Sequence, residues 1–196
     1  MTSYAEPRIG HDGFTHILVV CDGDRDGDEA ALKLAVTAID VAQCDGRAVP
    51  HVDVLCVIEP EPGEDFIRTL GGASPERLEA TRHKERSASI ARSISAAGLP
   101  DTTPLKIVSG KGFVEIIRHA MAASADLVIK PAAKVGGLHA QIFGSKDLHL
   151  LRKCPCPVWI VRPFPDGDAA QALSGTPVVV AAVDFDRDAE GAGDTP

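Results

Sequence analysis

The sequence predicts an α/β protein: an open parallel five-stranded sheet with helices on both faces. Three observations carry that prediction. Short apolar runs alternate with longer segments of helical periodicity, the pattern of repeated βαβ units. The runs are apolar at nearly every position rather than at every second one, as in strands buried on both faces. The composition, 44% hydrophobic with only 4% aromatic residues, requires a core of Val, Ile, Leu and Ala. At 196 residues the chain is long enough for one domain with a full core, plus an appendage.

The first strand is expected at His16–Cys21, closed by Asp22-Gly23. A helix follows from about Asp28 to Ala42, with Ala31, Leu32, Ala35, Ile39 and Ala42 on one face and acidic residues at its start, where the helix dipole favours them. Val52–Ile58 is the second strand, ended by Glu-Pro-Glu-Pro-Gly. Ser74-Pro75-Glu76 opens a long helix with a capping residue, a first-turn proline and a favourable carboxylate, and Gly98 closes it. Leu105–Ser109 is the third strand, and a glycine turn leads to a helix over Phe113–Ala123 with Val114, Ile117 and Met121 on one side. Leu127–Lys130 is the fourth strand, Ser145–Lys153 a short helix and Pro157–Val161 the fifth strand. Ligands of such sheets bind beyond the carboxyl ends of the strands. That directs attention to Asp22–Gly27, Glu59–Gly63, Ser109–Gly112 and Pro131–Ser145.

After Arg162 the texture changes to a proline-, glycine- and alanine-rich linker, and then Asp22-x-Asp24-Arg25-Asp26 recurs as Asp184-x-Asp186-Arg187-Asp188, again after an apolar run. The expected organisation is an N-terminal extension over residues 1–14, a domain over 15–163, a linker over 164–176 and the first strand of an incomplete second repeat over 177–196.

A formal charge of -8 argues against nucleic-acid binding by phosphate neutralisation, which needs surplus Lys and Arg. No run approaches the roughly 18 apolar residues of a membrane span, and MTSYAEPRIGHDG lacks a basic-then-apolar leader, so the expected setting is cytoplasmic, away from membranes. Five cysteines at 21, 44, 56, 154 and 156 do not form a disulfide framework. Cys154-Pro-Cys156 has the look of a metal or redox pair, but it lacks a second Cys or His pair at ligand spacing and reads better as small apolar residues entering a strand. The seven histidines are scattered with no HExxH, and no residue is assigned to a metal.

The stretch VVCDGDRD raises a catalytic alternative. An apolar strand followed by Asp22-x-Asp24 matches the opening of a Mg²⁺-dependent haloacid dehalogenase-type phosphatase, with Ser109 and the pair Asp184 and Asp186 as its later elements. Asp26 stands where that pattern has Thr or Val, no segment is long enough for a cap domain, and Asp184/Asp186 are better explained as a copy of the first motif. The acidic cluster is therefore read as a strand-to-helix corner, and no residue is assigned as catalytic.

Asp126–Arg162, DLVIKPAAKVGGLHAQIFGSKDLHLLRKCPCPVWIVR, resembles the last third of a universal stress protein domain. There a DLxV strand leads through a glycine-rich loop to Gly-Ser, a short helix and a terminal CPVxxV strand. The other landmarks agree over roughly residues 15–163, and the nearest resemblance is to the tandem-domain, E-type branch, which the repeat at Asp184 fits independently. The resemblance implies the adenine nucleotide alpha hydrolase-like fold and an ATP site. By match, Asp22 faces the adenine or ribose, Val57 contacts the base, and Gly144 and Ser145 hold phosphates through backbone N–H groups at a helix start. The family's loop, Gly-x2-Gly-x9-Gly-Ser/Thr, has Pro131 and Lys134 at its first two glycine positions here. Proline has no N–H to donate, and lysine places a side chain where backbone should approach the ligand. The resemblance thus implies a non-enzymatic stress-response protein that acts through association with a degenerate ATP loop, and either pairs as a homodimer through Pro157–Val161 or leaves that edge as an exposed, adhesive surface. An ATP-binding sensor is the alternative.

Overall fold

The computed structural model describes residues 13–59, 75–132 and 145–161. The 1–12 part of the expected extension, Lys134, Gly144, the expected linker and the expected second repeat lie outside them. Five strands, β1 (His16–Cys21), β2 (His51–Ile58), β3 (Leu105–Ser109), β4 (Leu127–Pro131) and β5 (Val158–Val161), form one parallel sheet in the order β3-β2-β1-β4-β5. The helices are α1 (Arg25–Cys44), α2 (Pro75–Ala97), α3 (Gly112–Ala123) and α4 (Ser145–Lys153).

The order explains the layers. Right-handed crossovers from β1 outward to β2 and β3 place α1 and α2 on one face, and the return to β4 and β5 on the far side of β1 places α3 and α4 on the other. Alternation along β1 divides the core accordingly. Ile17, Val19 and Cys21 pack with Leu32 of α1 and Ile90 and Ile94 of α2, whereas Leu18 and Val20 pack with Ile116 of α3 and Leu150 of α4. Ile17, Leu32, Leu55, Ile90, Leu127, Ile129 and Leu150 are fully buried, each stabilising the fold by about 1.5–3 kcal/mol relative to exposure.

Local chemistry sets the boundaries. α1 begins at Arg25 rather than near Asp28, because the Asp24 side chain caps it by accepting the Gly27 N–H at 3.3 Å. α2 ends as expected at Gly98, whose φ of +90° is glycine's own territory; Gly98 N–H donates to Ser95 O and Leu99 N–H to Ile94 O, closing a Schellman turn. β4 extends one residue further than expected, to Pro131. The strand tolerates this proline because pairing with β1 has already stopped at Val19–Ile129, and Pro131 pairs only with Val161 of β5. At β5 the Pro157 carbonyl still accepts from Val128 N–H at 3.0 Å, but the strand proper starts at Val158.

Candidate functional site

The sheet order reverses between β1 and β4, and a cleft of about 610 Å³ opens at the carboxyl ends of β1, β2 and β4. Asp22 and Val57, two of the four expected site residues, both line it. Ser145 is the first residue of α4, and Gly144 lies outside the described residues.

The β1–α1 corner is tied together by its own carboxylates. The buried Asp28 side chain accepts the Asp22 N–H at 2.9 Å and the Gly23 N–H at 3.0 Å, and the Asp22 carboxylate accepts the Asp24 N–H at 2.9 Å. Burial pushes the Asp28 carboxyl up from 3.8 to about 6, and the Asp22 carboxylate adds to the rise while the two N–H donors oppose it. Gly23 is required here twice over. Its φ is +87°, and a Cβ would fall on the guanidinium of Arg86, which reaches across from α2 to donate to the Asp22 carbonyl at 2.8 Å.

On the opposite wall, Glu59 follows β2 and accepts the Gly112 N–H at 2.9 Å, placing a carboxylate on the first residue of α3. The same carboxylate leaves no room for a side chain at Gly112, whose Cβ would sit 2.5 Å from Glu59 Oε1. Lys130, at the end of β4, donates to Asp147 of α4 and to the Pro131 carbonyl, both at 2.7 Å. This ion pair is largely withdrawn from water, with side-chain exposures of 11% and 3%. Glu85 and Arg82 of α2 complete a lining of mixed charge.

Ser109, the phosphatase pattern's later residue, donates to Glu79 at 2.6 Å and meets His83 Nε2 at 3.1 Å, both on α2. Asp24 serves as a helix cap. The structure thus gives Asp22, Asp24 and Ser109 separate local partners, and Asp184 and Asp186 lie outside the described residues. Cys154 and Cys156 approach to 3.8 Å, half-buried against the α3–α4 side of the core. The hydrogen bond between them holds the Cys154 thiol below its ordinary value and raises that of Cys156. Sequence reasoning missed the roles of Asp28 and Arg86 and the Lys130–Asp147 pair, and reached Glu59 only as the start of a loop at a strand end. A lysine at the end of the otherwise apolar LVIK strand was the one available signal, since a charge entering a buried layer needs a partner.

The family model described as the universal stress protein family matches residues 13–162. Universal stress protein E of Salmonella typhi is 46% identical over 77 residues, covering 38% of this chain and 24% of that protein. Universal stress protein E of Photorhabdus laumondii is 26% identical over 158 residues, covering 76% of this chain and 46% of that one. The chain therefore spans less than half the length of these curated relatives. A solved structure of the universal stress protein from Archaeoglobus fulgidus superposes with a TM-score of 0.50 at 20% identity, covering 74% of this chain and 97% of that one, a likeness of fold. With the sheet order, the switch-point cleft and a family match over most of its length, the chain belongs to the universal stress protein family.

Proposed function

We propose that this domain is a stress-response protein that works by association rather than catalysis, in a cytoplasmic setting, with a nucleotide site too degenerate to hold ATP. The observation that supports it is the state of the cleft. Four groups suited to receive phosphate oxygens, the Gly112 amide at a helix start, the corner amides of Asp22 and Gly23 and the Lys130 ammonium, are engaged by carboxylates of the chain itself, Glu59, Asp28 and Asp147, and Arg86 in the same wall is turned to the Asp22 carbonyl. A triphosphate entering there meets like charges already seated. Pro131, the last residue of β4, and Lys134 further along the chain act in the same direction.

Association is assigned to β5, the outermost strand on its side of the sheet among the described residues. The Pro157 carbonyl accepts from Val128 of β4 and the Val161 carbonyl from Ala132 just after it, so by strand alternation the backbone groups of Val158 and Ile160 point away from β4, toward a second copy. Sedimentation velocity of the full chain, with and without Mg²⁺ and ATP, tests this reading. A dimer at micromolar concentration, indifferent to ATP, is expected; a monomer throughout, or a dimer formed only with ATP, overturns it.

A second reading, an ATP-binding sensor, is favoured by one observation: Asp22 and Val57, matched to the family's adenosine side, do share the wall of a cleft large enough for a nucleotide. On that reading the carboxylates swing aside when ATP binds.

A further inference from the structure

At the opposite end of the sheet from the cleft, the parallel register pairs His16 of β1 with His51 of β2, and Asp53 lies two residues beyond His51 on the same face. The Asp53 carboxylate spans both rings, with Oδ2 2.9 Å from His16 Nε2 and Oδ1 3.0 Å from His51 Nε2. The rings meet edge to face, 4.9 Å between centroids, and one ligand atom from each of the three residues lies within 4.8 Å of the others.

We propose that His16, His51 and Asp53 form a binding site for one divalent transition-metal ion of the zinc class. Two imidazoles and one carboxylate make the mixed nitrogen and oxygen set that zinc takes with three protein ligands and a water, whereas magnesium and calcium favour oxygen alone. A tetrahedral ion about 2.1 Å from its ligands separates them by about 3.4 Å. The three ligand atoms here lie within 4.8 Å of one another, and the two short nitrogen–oxygen spacings run to different carboxylate oxygens, so the imidazoles must draw in toward one oxygen as the ion binds. The remaining adjustment falls to His51, whose side chain is 59% exposed, against 19% for His16 and 26% for Asp53. Each neutral imidazole then carries its proton on Nδ1 and turns the Nε2 lone pair to the ion.

The backbone beneath the site is set independently of any ion. Asp126 accepts from Thr15 N–H at 2.7 Å and His16 N–H at 3.1 Å, and His51 N–H donates to the Thr15 carbonyl at 2.8 Å. Two of the ligands thus start from fixed main-chain positions on adjacent strands, so little ordering entropy opposes binding. His51 is the most exposed of the three, so the site is reached from its side.

The test is titration of the full, chelator-treated chain with zinc chloride by calorimetry, using the Cys154→Ser/Cys156→Ser variant so that the thiol pair does not compete. One ion per chain is expected, with affinity reduced about tenfold or more in His51→Ala and in Asp53→Asn made in the same background. The His51 ring is mostly exposed, so its removal leaves the fold intact, which far-ultraviolet circular dichroism verifies. No binding in the Cys154→Ser/Cys156→Ser chain, or undiminished binding in either substituted chain, overturns the proposal and leaves the three residues as a hydrogen-bonded trio.

Discussion

Lys130 Nζ and Asp147 Oδ1 meet at 2.7 Å across the base of the cleft, joining the end of β4 to the first turn of α4. Neither side chain has more than about a tenth of its surface in water. An ion pair this withdrawn contributes little against an apolar pair of the same volume, but removal of one partner strands the other charge. Asp147→Ala is expected to cost about 3 kcal/mol in urea unfolding, while Lys130→Met with Asp147→Leu stays within about 1 kcal/mol of the parent chain. Equal losses in the single and double variants would show that stranding one charge is not what costs stability.

The raised carboxyl of Asp28 makes stability depend on pH. Its folded value, about 6, exceeds the ordinary 3.8, so between those pH values the folded chain holds a proton that the unfolded chain has released. The contribution is fully present below about pH 4 and is lost as pH climbs through 6. The shift corresponds to at most about 3 kcal/mol. The stability difference between the parent and Asp28→Asn, measured by denaturant unfolding at several pH values, should therefore move against the parent by on the order of 2 kcal/mol from pH 4 to pH 7. A flat difference contradicts this.

The five thiols should react in a definite order. Burial raises Cys21 and pushes Cys56 up to about 11, so both resist alkylation in the folded chain. Cys44 is exposed, and Cys154 is lowered by the hydrogen bond from Cys156. Timed iodoacetamide labelling followed by peptide mass spectrometry should find Cys154 modified before Cys156. The reverse order would place the thiolate on the other sulfur.

If copies pair along β5, a proline there must break the pairing. Ile160→Pro removes an amide that points away from β4 and leaves the β4–β5 bonds in place. Light scattering is expected to report a folded monomer for this variant beside a dimer of the parent chain. A dimer of unchanged stability in Ile160→Pro moves the interface elsewhere.

Much of the fold was legible in the residues. β1 and β3 stand where HILVVC and LKIVS predicted, and Gly98 closes α2, because continuous apolar runs and a positive-φ glycine each allow few alternatives. α1 starts three residues before the Asp28 that its sequence pattern points to, because Asp24, which in the sequence reads as one of an acidic corner, is its cap. The cleft was legible as a location but not as a network. That Asp22 and Val57 lie together follows from strand ends meeting at a switch point, whereas Arg86 over Gly23 and Glu59 on Gly112 depend on how α2 and α3 settle on the sheet. The His16–His51 pairing was hidden for a related reason: it exists only once β1 and β2 adopt their register.

The central claim, that this cleft does not hold ATP because its own carboxylates and its altered loop stand in the way, is tested most directly by calorimetric titration of the full chain with Mg²⁺ and ATP into the millimolar range. No saturable heat is the predicted result. A one-site isotherm with a dissociation constant in the micromolar range, weakened by Asp22→Ala, would contradict it.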